Sequence, residues 1–207
     1  MTLPDLVLQG TYGRLAWAVV FAAAFAALLP ASLQRSRRAV ALLLASLMLL
    51  MMLPGQYSPA YWIALAVQWP SGLLAGLCLV RLARPWRAAG AEEGMPLLMA
   101  AALALLGLLL YLDALGMVHL GLYYWGFGPR AAPLLALALM ALCAAGIARG
   151  IKQAHLFALL GALALFAVLR LPTGNLWDAL LDPLLWIWAV VSLAIKTIKI
   201  KQGVVQW

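Results

Sequence analysis

Acidic residues are scarce in this chain. Six Asp and Glu stand against fourteen Lys and Arg in 207 residues. Charge of either sign is sparse, at 10% of the chain, while 67% is hydrophobic. An ordinary soluble domain is roughly 25% charged and about 45–50% apolar. A soluble fold could not hide this much apolar surface, so the composition excludes one and places the chain in a membrane. Cysteine is nearly absent. Cys78 and Cys143 both fall in apolar runs, which excludes a disulfide framework or a CxxC site and leaves two small buried hydrophobes. Histidine is limited to His119 and His155, with no HExxH and no glycine-rich phosphate loop. No metal and no cofactor is expected.

The most informative absence lies inside the apolar runs, where no Asp, Glu, Lys, Arg or His falls near the middle. Ionisable groups at that depth cost about 2.5–3.5 kcal/mol on insertion scales and persist for function. Their absence argues against a carboxylate proton relay. It also argues against a retinal Schiff base, since Lys196 stands near the end of its run without a mid-depth acid. Period-2 alternation is missing too, so the chain reads as helices and not a barrel.

What is present is a series of apolar runs at 15–33, 39–53, 60–82, 96–112, 131–147, 154–171 and 183–200. The expected fold is an all-α, polytopic transmembrane bundle of about seven spans, a single membrane-embedded domain over 1–207. The first run is followed, not preceded, by Arg35, Arg37 and Arg38, which is the wrong polarity for a cleaved signal. With the N-terminus outside and the C-terminus cytoplasmic, eleven Lys and Arg lie at inner ends, Lys152 among them. Only Arg14, Arg130 and Arg170 lie at outer ends. Glu92 and Glu93 then fall in an inner loop, and all four Asp and all six Tyr fall at or near the outer face. The partners implied are anionic headgroups at the inner face, where the basic 196–201 segment also snorkels, and other membrane subunits. Nucleic acid is not among them. Leu53-Pro54-Gly55-Gln56 and Leu171-Pro172-Thr173-Gly174-Asn175 faintly echo one another at an offset of about 118, which would fit two parallel three-helix halves, against the plainer reading of coincidence, since Pro and Gly are common in membrane turns. The Ala/Leu richness and the preference for Arg over Lys suggest a bacterial cytoplasmic membrane.

Three segments carry the candidate chemistry. Gln68-Trp69-Pro70-Ser71-Gly72 interrupts the third run. Pro70 removes a backbone bond there, and Gln68 and Ser71 could line a mid-membrane cavity, against the plainer reading of a kink. The 113–130 loop is too apolar to be a solvated loop. Asp113, His119 and Arg130 could supply acid–base and anion-binding groups, and Tyr124 and Trp125 a stacking surface. The ordinary alternative is an aromatic anchor with an Asp–Arg pair. The 170–183 loop brings Arg170, Asn175, Trp177 and Asp178. Here Asn175 reads as the cap of a short helix, with Asp178 at its third position, and Asp182-Pro183 as the start of the last span. The functional alternative is a two-carboxylate site with Arg170.

Three functions are compatible with these features. The first expectation is an accessory subunit of a cell-envelope assembly or export complex with its specific surface on the outer face. The others are a transporter or flippase for an amphipathic or lipid-linked substrate, and an enzyme acting on such a substrate at the outer leaflet.

Overall fold

The computed structural model describes residues 3–87, 94–151 and 154–202. Glu92, Glu93, Lys152 and the tail beyond 202 lie outside the described residues. Every regular element among the described residues is helical. The long ones are α1 (Leu6–Leu28), α3 (Arg37–Met51), α5 (Gly72–Leu82), α6 (Leu97–Ala114), α8 (Ala131–Ala148), α9 (Ala154–Leu169) and α11 (Pro183–Lys201). The short ones are α2 (Ala31–Gln34), α4 (Pro59–Ala66), α7 (Leu122–Trp125) and α10 (Leu176–Leu180). Four helices, α1, α6, α8 and α11 up to Ile200, are long and apolar enough to cross a membrane. The helices α5 and α9 are apolar but shorter.

Small residues mark the closest helix contacts, and many large apolar side chains stay exposed. On α6, Ala100 is fully buried while Leu98 is 82% exposed. Lipid offers no hydrophobic drive to bring helices together, so close approach of small residues has to hold them. The α5–α9 pair is built this way. A Cβ on Gly72 would come within 3.1 Å of Ala162 Cβ, and one on Gly76 within 3.0 Å of Ala158 Cβ. The two four-residue spacings run in opposite senses, so α5 and α9 are antiparallel. Two tryptophans use glycine notches. The Trp69 ring lies where a Cβ on Gly13 would stand, and Trp186 does the same at Gly107. Trp186 also meets Tyr111 edge to face at 5.3 Å and donates its indole N–H to the Ala104 carbonyl at 3.0 Å.

Two boundaries differ from the sequence reading. The first helix starts at Leu6 rather than near 15, because Asp5 caps it, accepting from the Val7 and Leu8 amides. It ends at Leu28, where Leu29 and Pro30 leave helical geometry. The polar residues of its first turns find partners: Gln9 donates to the Pro172 carbonyl at 2.6 Å. The third run is not one helix. Chain between α4 and α5 is extended, and α5 of eleven residues is only about 16 Å long.

The bundle has two rims. Residues 52–58, 115–130 and 170–182, with the start of α1, form one rim, rich in aromatics. Residues 29–36, 83–87 and 149–151 form the other, rich in arginine. The two halves suggested by the Leu-Pro echo pack differently. The helix α1 packs on both α3 and α5, whereas α8 packs on α9 and α11 on α6. The echoed segments differ as well: Pro54-Gly55-Gln56 is exposed, while Pro172 and Asn175 are buried.

Candidate functional site

The break in the third run lies at the aromatic rim and not halfway across the bundle. The Ser71 amide donates to Asp182 Oδ2 at 2.7 Å, and Asp182 Oδ1 accepts from Leu185 at 2.8 Å as the cap of α11. One buried carboxylate therefore serves the N-termini of two helices, where the helix dipole favours negative charge. Two further groups at Pro70 and Ser71 have partners. Tyr12 donates its hydroxyl to the Pro70 carbonyl at 2.8 Å, and Ser71 Oγ accepts from the Leu74 amide at 3.1 Å. Gln68 is exposed. Pro70 and Ser71, expected beside a mid-membrane cavity, are buried and bonded to Tyr12 and Asp182 in a joint between helices, and Gln68 points away from it. The physical reason is that buried backbone polar groups are costly unless bonded.

Asp113 organises its own loop. Oδ1 accepts from the Leu120 and Gly121 amides, both at 2.9 Å, and Oδ2 from Tyr123 at 3.0 Å. Three backbone amides thus share its two oxygens, and the carboxylate serves first as the brace of this loop. Gly121 adopts φ +65, the left-handed turn that starts α7. The 113–130 and 170–182 loops then lock together. Leu176 N–H bonds to the Gly126 carbonyl at 3.0 Å, and Trp177 Nε1 to the Leu122 carbonyl at 2.7 Å. Asn175 caps α10 through Trp177 N–H at 2.9 Å and reaches the Tyr123 carbonyl with its amide at 3.4 Å. Gly126 permits this, since any Cβ there would overlap the Asn175 amide and lie 2.6 Å from the Trp177 ring.

Asp178 lies at the centre of that lock. It accepts from Thr173 Oγ1 at 2.5 Å and from the Tyr123 hydroxyl at 3.0 and 3.3 Å. Burial pushes its carboxyl above the ordinary range, Asp182 nearby adds to the rise, and the two hydroxyls work against it. Tyr123 is pushed up to about 12, first by burial and then by the charge of Asp178. Arg170 is no partner in a carboxylate site. It takes φ +57 and sets its guanidinium 5.1 Å from the Phe166 ring centre, a cation–π contact.

Of the residues expected to act together, the fold joins Asp113, Asn175, Trp177 and Asp178 in one hydrogen-bonded cap. His119, Tyr124, Trp125 and Arg130 are exposed on its outside. No group of three or more His, Cys, Asp or Glu among the described residues could hold a metal ion. Tyr123, Thr173, Gly126 and Tyr12 are cap residues that the sequence reading passed over. Thr173 carried a signal, two residues before a cap-type Asn. Tyr123 could not be chosen over Tyr124 in a loop without a period. Comparison with models of known families, with curated proteins and with solved structures finds no match to this chain.

Proposed function

We propose that this chain is a seven-pass subunit of a bacterial inner-membrane complex, acting by docking at its aromatic rim. The rim faces outward, with the N-terminus outside and the arginine rim cytoplasmic. The orientation rests on the eleven-to-three bias of Lys and Arg. The seven passes combine the four long helices with α3, α5 and α9, whose short lengths are carried by arginine side chains at their ends.

One observation carries the docking reading. The carboxylates of Asp113, Asp178 and Asp182 are all bonded within the chain, while the large aromatics beside them are open. Tyr124 is 71% exposed and Trp125 59% exposed. A face with its polar groups satisfied internally and its aromatics outward offers contact area and not reactive groups. The same bookkeeping disfavours the enzyme reading, which needs an uncommitted acid. It also disfavours a carrier path through the Gln68–Ser71 break, where Pro70 and Ser71 are already bonded to Tyr12 and Asp182.

Photo-crosslinking in cells tests it. A photoreactive residue at Trp125 should trap one discrete protein partner, and one at Phe157 on the apolar surface of α9 should trap lipid. Equal, diffuse labelling from both positions would remove the basis for a docking rim.

A further inference from the structure

The first helix carries a charge that its own chain does not use. Because Asp5 starts α1 at Leu6, Arg14 lies inside the helix and not at its end. It stands about 12 Å along the axis from Leu6 and about 21 Å from Leu28. An ionisable side chain at such depth in a membrane-length helix is costly and is kept with a partner. Arg14 is partly buried, yet no hydrogen bond, ion pair or cation–π contact reaches it among the described residues. The described acids are committed elsewhere. Asp5 caps α1, and Asp113, Asp178 and Asp182 hold the loops and helix starts of the aromatic rim. Glu92 and Glu93 are flanked by Arg87 and Gly94 at the arginine rim, the far end of the bundle from Arg14.

Gly10 stands one turn before Arg14 on the same face, and the chain does not account for it either. Where a Cβ would stand, Gly13 and Gly107 admit a tryptophan ring, and Gly72 and Gly76 admit α9. A Cβ on Gly10 would meet nothing within 4 Å. Glycine inside a helix is destabilising relative to alanine, and membrane helices carry it where another helix comes close. Val7, one turn earlier, is exposed. Val7, Gly10 and Arg14 therefore form one row at three- and four-residue spacing. Trp17, next along the row, is buried, and its indole N–H has no acceptor. Donors without acceptors along one helix face call for an acceptor from another molecule.

We propose that this face of α1 receives a membrane helix of another subunit, seated closely at Gly10, with an Asp or Glu side chain paired to Arg14. The inference rests on the reading of this chain as a subunit of a membrane complex, and it names the chemistry of one contact inside the bilayer. A carboxylate matches the arginine fork with two parallel hydrogen bonds. A lipid phosphate fits the depth less well. Leu6 and Val7 are exposed apolar side chains nearer the rim, so headgroups lie at or beyond them, about two turns from Arg14. A carboxylate on a crossing helix can stand level with Arg14. A second copy of this chain offers no such group among its described acids, which all sit at the aromatic rim.

A photoreactive residue at Val7 of the full chain, introduced in cells, reads the contact. It should trap one protein, and the attached peptide should come from a membrane segment with an Asp or Glu within about two turns of the crosslink. Arg14→Gln should lower the yield about tenfold. Gly10→Leu, which blocks close approach and leaves the charge, should lower it similarly without lowering the thermal stability of the isolated chain. Arg14→Asp should abolish the product, and an acid-to-arginine change at the mapped position of the partner should restore it. Each of Arg14→Gln and Gly10→Leu decides the question if the other fails to fold. Wild-type yield in either folded variant would overturn the proposal, as would capture of lipid or of a second copy alone, or a mapped segment without an acid. Crosslinking from Trp125 separates the two readings. A discrete product from Trp125 with none from Val7 removes the helix pairing and leaves the docked rim, whereas no protein product from either position removes the subunit reading itself.

Discussion

The two rims of this bundle spend their polar groups in opposite ways. At the aromatic rim, three carboxylates are turned inward and consumed: Asp113 on its own loop, Asp178 on two hydroxyls, Asp182 on two helix starts. At the arginine rim, Arg35, Arg37, Arg38 and Arg81 are exposed. The aromatic rim is closed by hydrogen bonds among side chains and loops, and at the arginine rim Gln34 and Arg37 bond to backbone carbonyls. A polar residue at a membrane surface is therefore not a functional residue until its partners are counted. The acids that read as acid–base candidates hold loops and helix starts together, and Arg37, which reads as a topology signal, ties the start of α3 to the turn after α5.

The sharpest way to break the contrast is at Asp182. Asp182→Ala removes a helix cap, worth about 1 kcal/mol, and orphans the buried Ser71 amide, worth about 2 kcal/mol more. The expected loss is about 3 kcal/mol in thermal unfolding in detergent. Asp182→Asn keeps one acceptor and should lose less than half of that. Equal losses from both would mean that charge, and not hydrogen bonding, holds the joint.

Glycine substitutions compare the rims next. Gly126→Ala pushes a methyl into the Asn175 amide and Trp177 ring and should cost about 2 kcal/mol. Gly150→Ala, in the turn after α8, meets open space and carries only the cost of φ +85, about 1 kcal/mol. A reversed order would show that the interlocked loops yield easily.

A smaller effect is expected from pH. Asp178 holds its proton more tightly folded than unfolded, because burial raises its carboxyl. Its contribution is fully present below the ordinary aspartate range and is lost as pH rises through the raised folded value. Thermal stability should therefore decline across that window in the wild type, and Asp178→Asn should flatten the decline. An unchanged slope in Asp178→Asn would assign the titration to another group.

Composition and run lengths were enough to read an all-helical chain with membrane-length segments. They did not show that Asp5 starts the first helix at Leu6, because the polar residues Gln9 and Tyr12 look like loop until their partners at Pro172 and Pro70 are known. Local rules found the caps at Asn175 and Asp182, which depend on neighbours a few residues away. They missed the second bond of Asp182, to Ser71, 111 residues distant. They also missed the Gly72–Gly76 and Ala158–Ala162 match, although both four-residue spacings are visible in the chain. Small residues are so frequent here that spacing alone does not say which pair will meet.

A docking role for the aromatic rim depends on which side of the membrane each rim faces. Cysteine labelling of intact cells with a membrane-impermeant maleimide measures that directly. Cys78 and Cys143 are buried and contribute little background. Tyr57→Cys and Trp125→Cys should label in intact cells, whereas Arg35→Cys and Arg149→Cys should label only after the membrane is opened. The reverse pattern, or labelling of all four in intact cells, would contradict an outward aromatic rim and an inward arginine rim.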